Sequence, residues 1–326
     1  MPTVTRESIV SETDELRIAL TIDSDSDQFD PSVCQGSGSM PSWEGVEYGI
    51  PAIIEATASC LDSYGLPPRF TWFVRIDPHL EALYGDCGYL LDRFASLWRF
   101  CQQRGDELAW HPHLYCREGE RWVQEQDPQN LRIHLQQTWA SLKKRGFSPT
   151  SSRIGDAFGS NEIMQTLSGL GLRCDVTAMP GRVRQDAHRH LDWDGTPPHP
   201  YRPSVADYRR PGTPALDLLE IPMSMVSVKA EYDATPLSRY IDLSFRHGAL
   251  RGGLKKFLPE AQTIVTVTHP TGVLPSANGA RHGLISHDLG EFRHNLDWIL
   301  EECGRLGRPS RFVTISEVER YFFEGK

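Results

Sequence analysis

The sequence predicts an α/β protein in which successive βα units close into a barrel. Short apolar runs alternate with longer segments of helical period, which marks a mainly parallel sheet. Seven or eight such units favour a barrel over an open sheet, and the residues just after each apolar run are consistently polar. With 326 residues, 39% of them hydrophobic and 24% charged, the chain can bury a full core.

A polar, acidic tail (residues 1–15) comes first and lacks the basic start and apolar core of a secretory signal. The expected strands are Leu16–Ile22, Phe70–Ile76, Glu107–Trp110, Ser151–Ile154, Leu172–Val176, Leu218–Met225, Ile264–Thr268 and Arg311–Ile315. Between them the pattern predicts helices at Ile50–Tyr64, Tyr89–Arg104, Pro128–Arg145, Asn161–Leu170 and Asp288–Leu306. Two stretches break the rhythm. Gln28–Gly49 is rich in Gly, Ser and Pro, and Pro180–Pro214 carries many Pro, Arg and His residues. Loops of that length are usually lids or substrate-binding elements. The strand pattern resumes after each, so residues 16–326 read as one domain.

A net charge of −9 and a pI near 5.7 argue against a nucleic acid or an anionic membrane surface as partner. No apolar run is long enough to span a bilayer, so stable membrane insertion is not expected and a cytoplasmic location is. The seven cysteines are odd in number and scattered, with no C-x-x-C pair, which predicts neither a disulfide framework nor a cysteine zinc site. Oligomeric state stays open, a homo-oligomer included.

Chemistry in βα barrels gathers at the carboxyl ends of the strands. Thr21-Ile22-Asp23-Ser24-Asp25-Ser26-Asp27 ends the first strand in aspartates at every-other spacing, which an extended chain places on one side. Like charges so close call for a metal, an arginine or a proton. Asp and Ser are also turn formers, and that reading suits Asp27 better than Asp23 or Asp25. Later strands deliver Arg75 and Asp77, then His111 and His113, Arg153 and Asp156, Asp175, Glu220 and His269. His-x-His on a strand is a metal clamp if both imidazoles face one point, although either histidine can instead be a hydrogen-bonded core residue. Arg153 heads a Gly-containing turn where it can orient a carboxylate. His269 leaves a β-branched strand into a Pro-restrained turn, a setting for a general acid.

The order of these motifs resembles the polysaccharide deacetylase superfamily, the NodB-like carbohydrate esterases. The residues that carry it are Asp23-Ser24-Asp25, then Gly105-Asp106-Glu107-Leu108-Ala109-Trp110-His111-Pro112-His113, then Arg153-Ile154-Gly155-Asp156-Ala157-Phe158, then Thr268-His269-Pro270. The resemblance extends from about Leu16 to Glu317. It implies a distorted (β/α)7 barrel and hydrolysis of an N-acyl group, acetyl or formyl, on an amino sugar or glycoconjugate precursor.

Carried over by residue, the resemblance implies Asp23 as catalytic base, Arg153 as its orienter and His269 as general acid. Asp25, His111 and His113 are implied as ligands of a divalent metal, zinc first, with iron, cobalt, nickel or manganese also suited. Two departures stand out: Asp-x-Asp replaces adjacent aspartates, and Tyr115 stands where typical members carry their second histidine. Arg75, Asp77, Tyr115, Asp156, Asp175, Tyr201 and Arg202 are expected near the substrate. Arg182, Arg184 and His199 give the second long loop a basic character suited to a phosphate or diphosphate carrier. Two other readings stay open, a metal-independent amidohydrolase acting on a small amide and a non-catalytic carbohydrate-binding protein.

Overall fold

The computed structural model describes residues 15–27, 40–119, 121–186, 189–274 and 287–324. The expected tail up to residue 14, residues 28–39 of the first long loop and Cys34 lie outside the described residues. In chain order the strands are β1 (Leu16–Ser24), β2 (Phe70–Arg75), β3 (Glu107–His111), β4 (Tyr115–Glu118), β5 (Arg121–Gln124), β6 (Ser151–Ser152) and β7 (Cys174–Asp175). They continue as β8 (Val183–Gln185), β9 (His190–Asp192), β10 (Leu219–Glu220), β11 (Met225–Val228), β12 (Leu237–Tyr240), β13 (Thr263–Val265) and β14 (Ser310–Phe312).

One curled parallel sheet runs β10-β7-β6-β3-β2-β1-β13, in agreement with the expected distorted (β/α)7 barrel. β1 is its centre. One edge of β1 meets β13 through Arg17–Ala19, and the other is shared, with Leu16–Ile18 on β14 and Leu20–Ser24 on β2. The curl is bridged outside regular strands: Ser224 N donates to Val265 O at 3.0 Å and Val267 N to Ile241 O at 2.9 Å.

Side chains on successive strand residues alternate between the two faces. Leu16, Ile18, Leu20, Ile22, Trp72, Val74 and Trp110 pack outward in the large cluster shared with the helices. Ala19, Phe73, Ala109, Cys174, Val176, Leu219, Ile221 and Val265 form a separate buried cluster inside the curl. Continued to the strand ends, that inward series delivers Asp23, Arg75, His111 and Arg153. β2 and β3 pair Arg75 directly with His111.

Several expected boundaries shift for local reasons. The run Leu218–Met225 stays in the sheet only at Leu219–Glu220, because Pro222 has no N–H to continue a ladder. Met225–Val228 then pairs antiparallel with β12. The first helix stops at Thr57, whose hydroxyl turns back onto Ile53 O at 2.8 Å, and a π-helical turn, Gly45–Gly49, precedes it. Tyr89–Arg104 breaks at Phe94 into two helices. Helices at Pro78–Tyr84, His247–Phe257 and Ile315–Glu324 were not expected from the sequence. The second long loop contains the β8–β9 hairpin. Among the described residues no helix is long and apolar enough to cross a membrane. The described cysteines are free thiols.

Asp175 and Glu220 are cross-strand neighbours on the outer face, because Cys174, Val176, Leu219 and Ile221 occupy the inner one. Both are fully buried. Ser152 Oγ donates to Asp175 at 2.7 Å and Ala178 N to Glu220 at 2.8 Å, and the two carboxyls hydrogen-bond each other. Burial, and then the Asp175 charge, push the Glu220 carboxyl well above its ordinary range, and burial raises Asp175 as well. A carboxyl raised by folding contributes stability at low pH that is lost as pH rises through its folded value. The stability contributed by the Asp175–Glu220 pair is therefore expected to fall from acid toward alkaline pH. Glu220→Gln flattens that slope and melts higher than the parent at alkaline pH, a comparison that calorimetry across pH checks.

Candidate active site

The inward residues at the strand ends converge on a cavity of about 400 Å³ whose walls include Asp23, Asp25, Arg75, His111, His113, Arg153 and His269. Arg153 is the most enclosed of them, at 1% exposure. Its guanidinium donates to Asp23 Oδ1 at 2.6 Å, to Thr21 Oγ1 at 2.8 Å and to Val176 O at 3.0 Å, and it lies 4.2 Å from the Phe73 ring centre. Three polar contacts and one aromatic face fix the fork, so Asp23 has a neutralising partner and a set orientation.

Asp25 stands one residue past the end of β1 in a different environment. Its Oδ1 lies 2.9 Å from His113 Nε2 and 3.6 Å from His111 Nε2, and Arg75 Nη1 is 3.8 Å away. The two Nε2 atoms are 3.3 Å apart. Hydrogen bonding on the far side of each ring decides what these atoms are. His111 Nδ1 is 2.7 Å from Arg153 O, which only accepts, so Nδ1 carries the proton. Tyr115 spends its hydroxyl proton on Asp156 Oδ2 at 2.5 Å and so accepts from His113 Nδ1 at 3.0 Å. In the neutral rings both Nε2 atoms therefore bear lone pairs, aimed at each other and at a carboxylate. Asp25 Oδ1 is buried and, among the described residues, meets no well-directed donor.

Such a convergence of lone pairs demands a cation. Burial alone would push the Asp25 carboxyl up, but His113 and then His111 hold it well below the usual carboxylate range. Burial would push the His111 imidazole down, but Asp23 and then Asp25 carry it above its ordinary value. A proton on His111 is one response to that demand. A divalent cation, which displaces the proton, is the other. Among the described residues Asp25, His111 and His113 are the group whose ligand atoms lie close enough to share an ion, within 4.8 Å of one another. Two nitrogens and one carboxylate oxygen suit zinc, and the outward hydrogen bonds on both rings are the orienting contacts such ligands need.

The turn after β6 is shaped around His113. A Cβ on Gly155 would fall inside the His113 ring, so that position has room only for glycine. Asp156 and Ala157 follow with φ of 57° and 53°, a region costly for side-chain-bearing residues. The strain carries Asp156 to the Tyr115 hydroxyl. Tyr115 thus supports His113.

Of the residues expected near substrate, Arg75, Tyr115 and Asp156 line the cavity, as do Arg182 and Arg184. Asp77, Asp175, Tyr201 and Arg202 do not. Asp77 caps the helix Pro78–Tyr84, accepting from Leu80 N at 2.9 Å, and also holds Arg75 Nε at 2.8 Å and His113 N at 3.1 Å. Asp175 emerges on the outer face of the sheet. Tyr201 is buried with its hydroxyl on Tyr208 O, and Arg202 pairs with Asp217. His199 lines a groove formed with Glu15, Arg17 and Tyr321. Asp27 anchors the loop as expected for a turn former, accepting from Glu44 N at 2.8 Å and Thr271 Oγ1 at 2.6 Å.

His269 Nε2 faces Asp25 Oδ2 at 3.6 Å. Three wall residues had no signal in the linear pattern: His79, Asp242 and His287. Arg75 Nη2 donates to His79 Nδ1 at 2.7 Å, and burial, then the Arg75 charge, push the His79 imidazole down to about 3. It is a neutral ring with its proton on Nε2.

No family model and no curated protein sequence matches this chain. Among the solved structures that share its fold are two that match it to a similar extent. One, from Mycobacterium smegmatis, is described as a candidate polysaccharide deacetylase: TM-score 0.55, 17% identity, 97% of this chain and 92% of that one covered. The other, from Parabacteroides distasonis, is described as a candidate glycoside hydrolase/deacetylase: TM-score 0.57, 13% identity, 96% of this chain and 71% of that one covered.

Gly155→Ala is expected to force His113 and the Asp156 turn apart, destabilising the protein by about 1–3 kcal/mol, as overpacking of a filled interior does. Urea unfolding measures it. A change well below that range would show that His113 is free to move.

Proposed function

We propose that the chain is a metal-dependent hydrolase of the polysaccharide deacetylase superfamily that removes an N-acyl group from an amino sugar or glycoconjugate precursor. The observation that carries this reading is the convergence of Asp25, His111 and His113 beside a separately neutralised Asp23. The shared fold and the order of motifs along the strands support it.

A divalent cation held by Asp25, His111 and His113, zinc by donor type, supplies Lewis acidity toward an acyl carbonyl oxygen and lowers the pKa of water. Asp23, held by Arg153, accepts the proton of the attacking water as its oxygen joins the acyl carbon. The C–N bond then breaks, and its electron pair stays on nitrogen, which leaves only if it gains a proton. His269, on the wall beside Asp25, donates it. Arg182 and Arg184 on the β8–β9 hairpin favour a substrate with an anionic part, such as a phosphate or diphosphate carrier.

Purified protein is expected to hold one divalent metal per chain and to lose hydrolysis of N-acetyl or N-formyl amino sugars on chelation. Asp23→Asn is expected to cut kcat by roughly 10²–10⁴-fold, the usual worth of a positioned proton acceptor. Full activity in metal-free protein would favour the metal-independent amidohydrolase reading. If Asp23→Asn and His269→Ala proteins treated these sugars as the unaltered protein does, the non-catalytic carbohydrate-binding reading would stand instead.

A further inference from the structure

Asp242 and His287 form a carboxylate–imidazole pair in the same cavity, apart from the Asp25 group. Asp242 is buried and follows β12. Its Oδ1 accepts from Ser244 N at 3.0 Å, Ser244 Oγ at 2.8 Å and Thr268 Oγ1 at 2.9 Å. Three donors fix the carboxylate, one of them from Thr268, the residue before His269. His287 Nδ1 lies 3.0 Å from Ser244 Oγ and 3.4 Å from Asp242 Oδ2.

The proton count is decisive. Ser244 gives its only hydroxyl proton to Asp242, so toward His287 it offers a lone pair. Asp242 offers only lone pairs as well. His287 Nδ1 must therefore carry a proton, and Nε2 is the nitrogen that gains or gives one. The ring is also fixed from its backbone: His287 bridges Phe245, Asp288 N donates to Ser244 O at 3.0 Å, and the Phe245 ring centre is 5.3 Å away. A buried carboxylate that sets the tautomer of a cavity-lining imidazole is the arrangement that proton-transferring histidines need.

We propose that His287 is a second general acid of this cavity, aligned by Asp242 as a positioning residue, and that it shares with His269 the protonation of the departing nitrogen. The proposal rests on the N-acyl hydrolase reading. The balance is closed: the C–N bond breaks, its electron pair stays on nitrogen, and the His287 Nε2 proton forms the new N–H bond. Neutral His287 recovers a proton from solvent, and Asp23 releases to solvent the one it took from water. His269 Nε2 faces a carboxylate of the ligand group at 3.6 Å. His287 answers to a carboxylate outside that group, which leaves it able to donate whatever the ligand group holds.

The test exploits leaving groups. An amine must be protonated to depart, whereas 4-nitrophenolate departs unaided. In the full-length, metal-loaded chain, His287→Gln is expected to lower kcat on an N-acetyl amino sugar at least about tenfold more than on 4-nitrophenyl acetate. His269→Gln/His287→Gln is expected to lose more on the sugar than either single variant. Asp242→Glu should restore much of what Asp242→Ala loses in kcat, with KM little changed. Equal losses on both substrates, or an unchanged kcat on the sugar, would overturn the proposal. Imidazole ¹⁵N spectra of the full chain provide a readout independent of turnover: His287 is expected as the Nδ1–H tautomer. An Nε2–H tautomer would overturn the dyad while leaving the hydrolase reading intact. An unaltered protein that cleaved neither substrate would instead remove the hydrolase reading, and this proposal with it.

Discussion

Two carboxylates, Asp23 and Asp25, stand two residues apart at the end of β1, buried where two unpaired negative charges would be prohibitive. The strand ends around them neutralise each by a different means. Asp23 receives a permanent cation, the guanidinium of Arg153, locked by Thr21, Val176 and the Phe73 face. Asp25 receives two imidazoles whose lone pairs point at it and at each other. The first arrangement is complete within the chain. The second is completed only by a proton or a metal ion, and that asymmetry divides the labour between a base and a ligand.

Arg153 links the two halves. Its side chain orients Asp23 while its backbone carbonyl sets the tautomer of His111. Next along the chain, Gly155 makes room for the His113 ring and Asp156 receives the Tyr115 proton that fixes His113. One strand-to-turn segment thus controls the base and both imidazoles. Displacing it by a fraction of an ångström disturbs all three, so the backbone strain at Asp156 and Ala157 is tolerated there.

The barrel was legible in the sequence because parallel strands buried on both faces read as apolar runs, and their alternation with helices survives even where boundaries do not. Asp23, Asp25, His111, His113, Arg153 and His269 were legible because each ends or closely follows such a run. Asp175 was misplaced by parity: one step along a strand moves a side chain to the other face, and Cys174 and Val176 had already taken the interior. Asp77 closely follows a strand, as the site residues do, but it caps a helix that the apolar pattern does not reveal. Asp242 and His287 were invisible because their pairing joins residues 45 apart in sequence through irregular backbone. No periodicity encodes such a contact.

The central claim is that Asp25, His111 and His113 hold one divalent cation between their facing lone pairs. X-ray diffraction from crystals of the zinc-loaded protein, recorded on either side of the zinc absorption edge, tests it most directly. The account predicts a single anomalous peak about 2.0–2.2 Å from Asp25 Oδ1, His111 Nε2 and His113 Nε2, the distances zinc takes to oxygen and nitrogen ligands. A peak elsewhere, or no peak with Asp25 bonded to two protonated imidazoles, would contradict it.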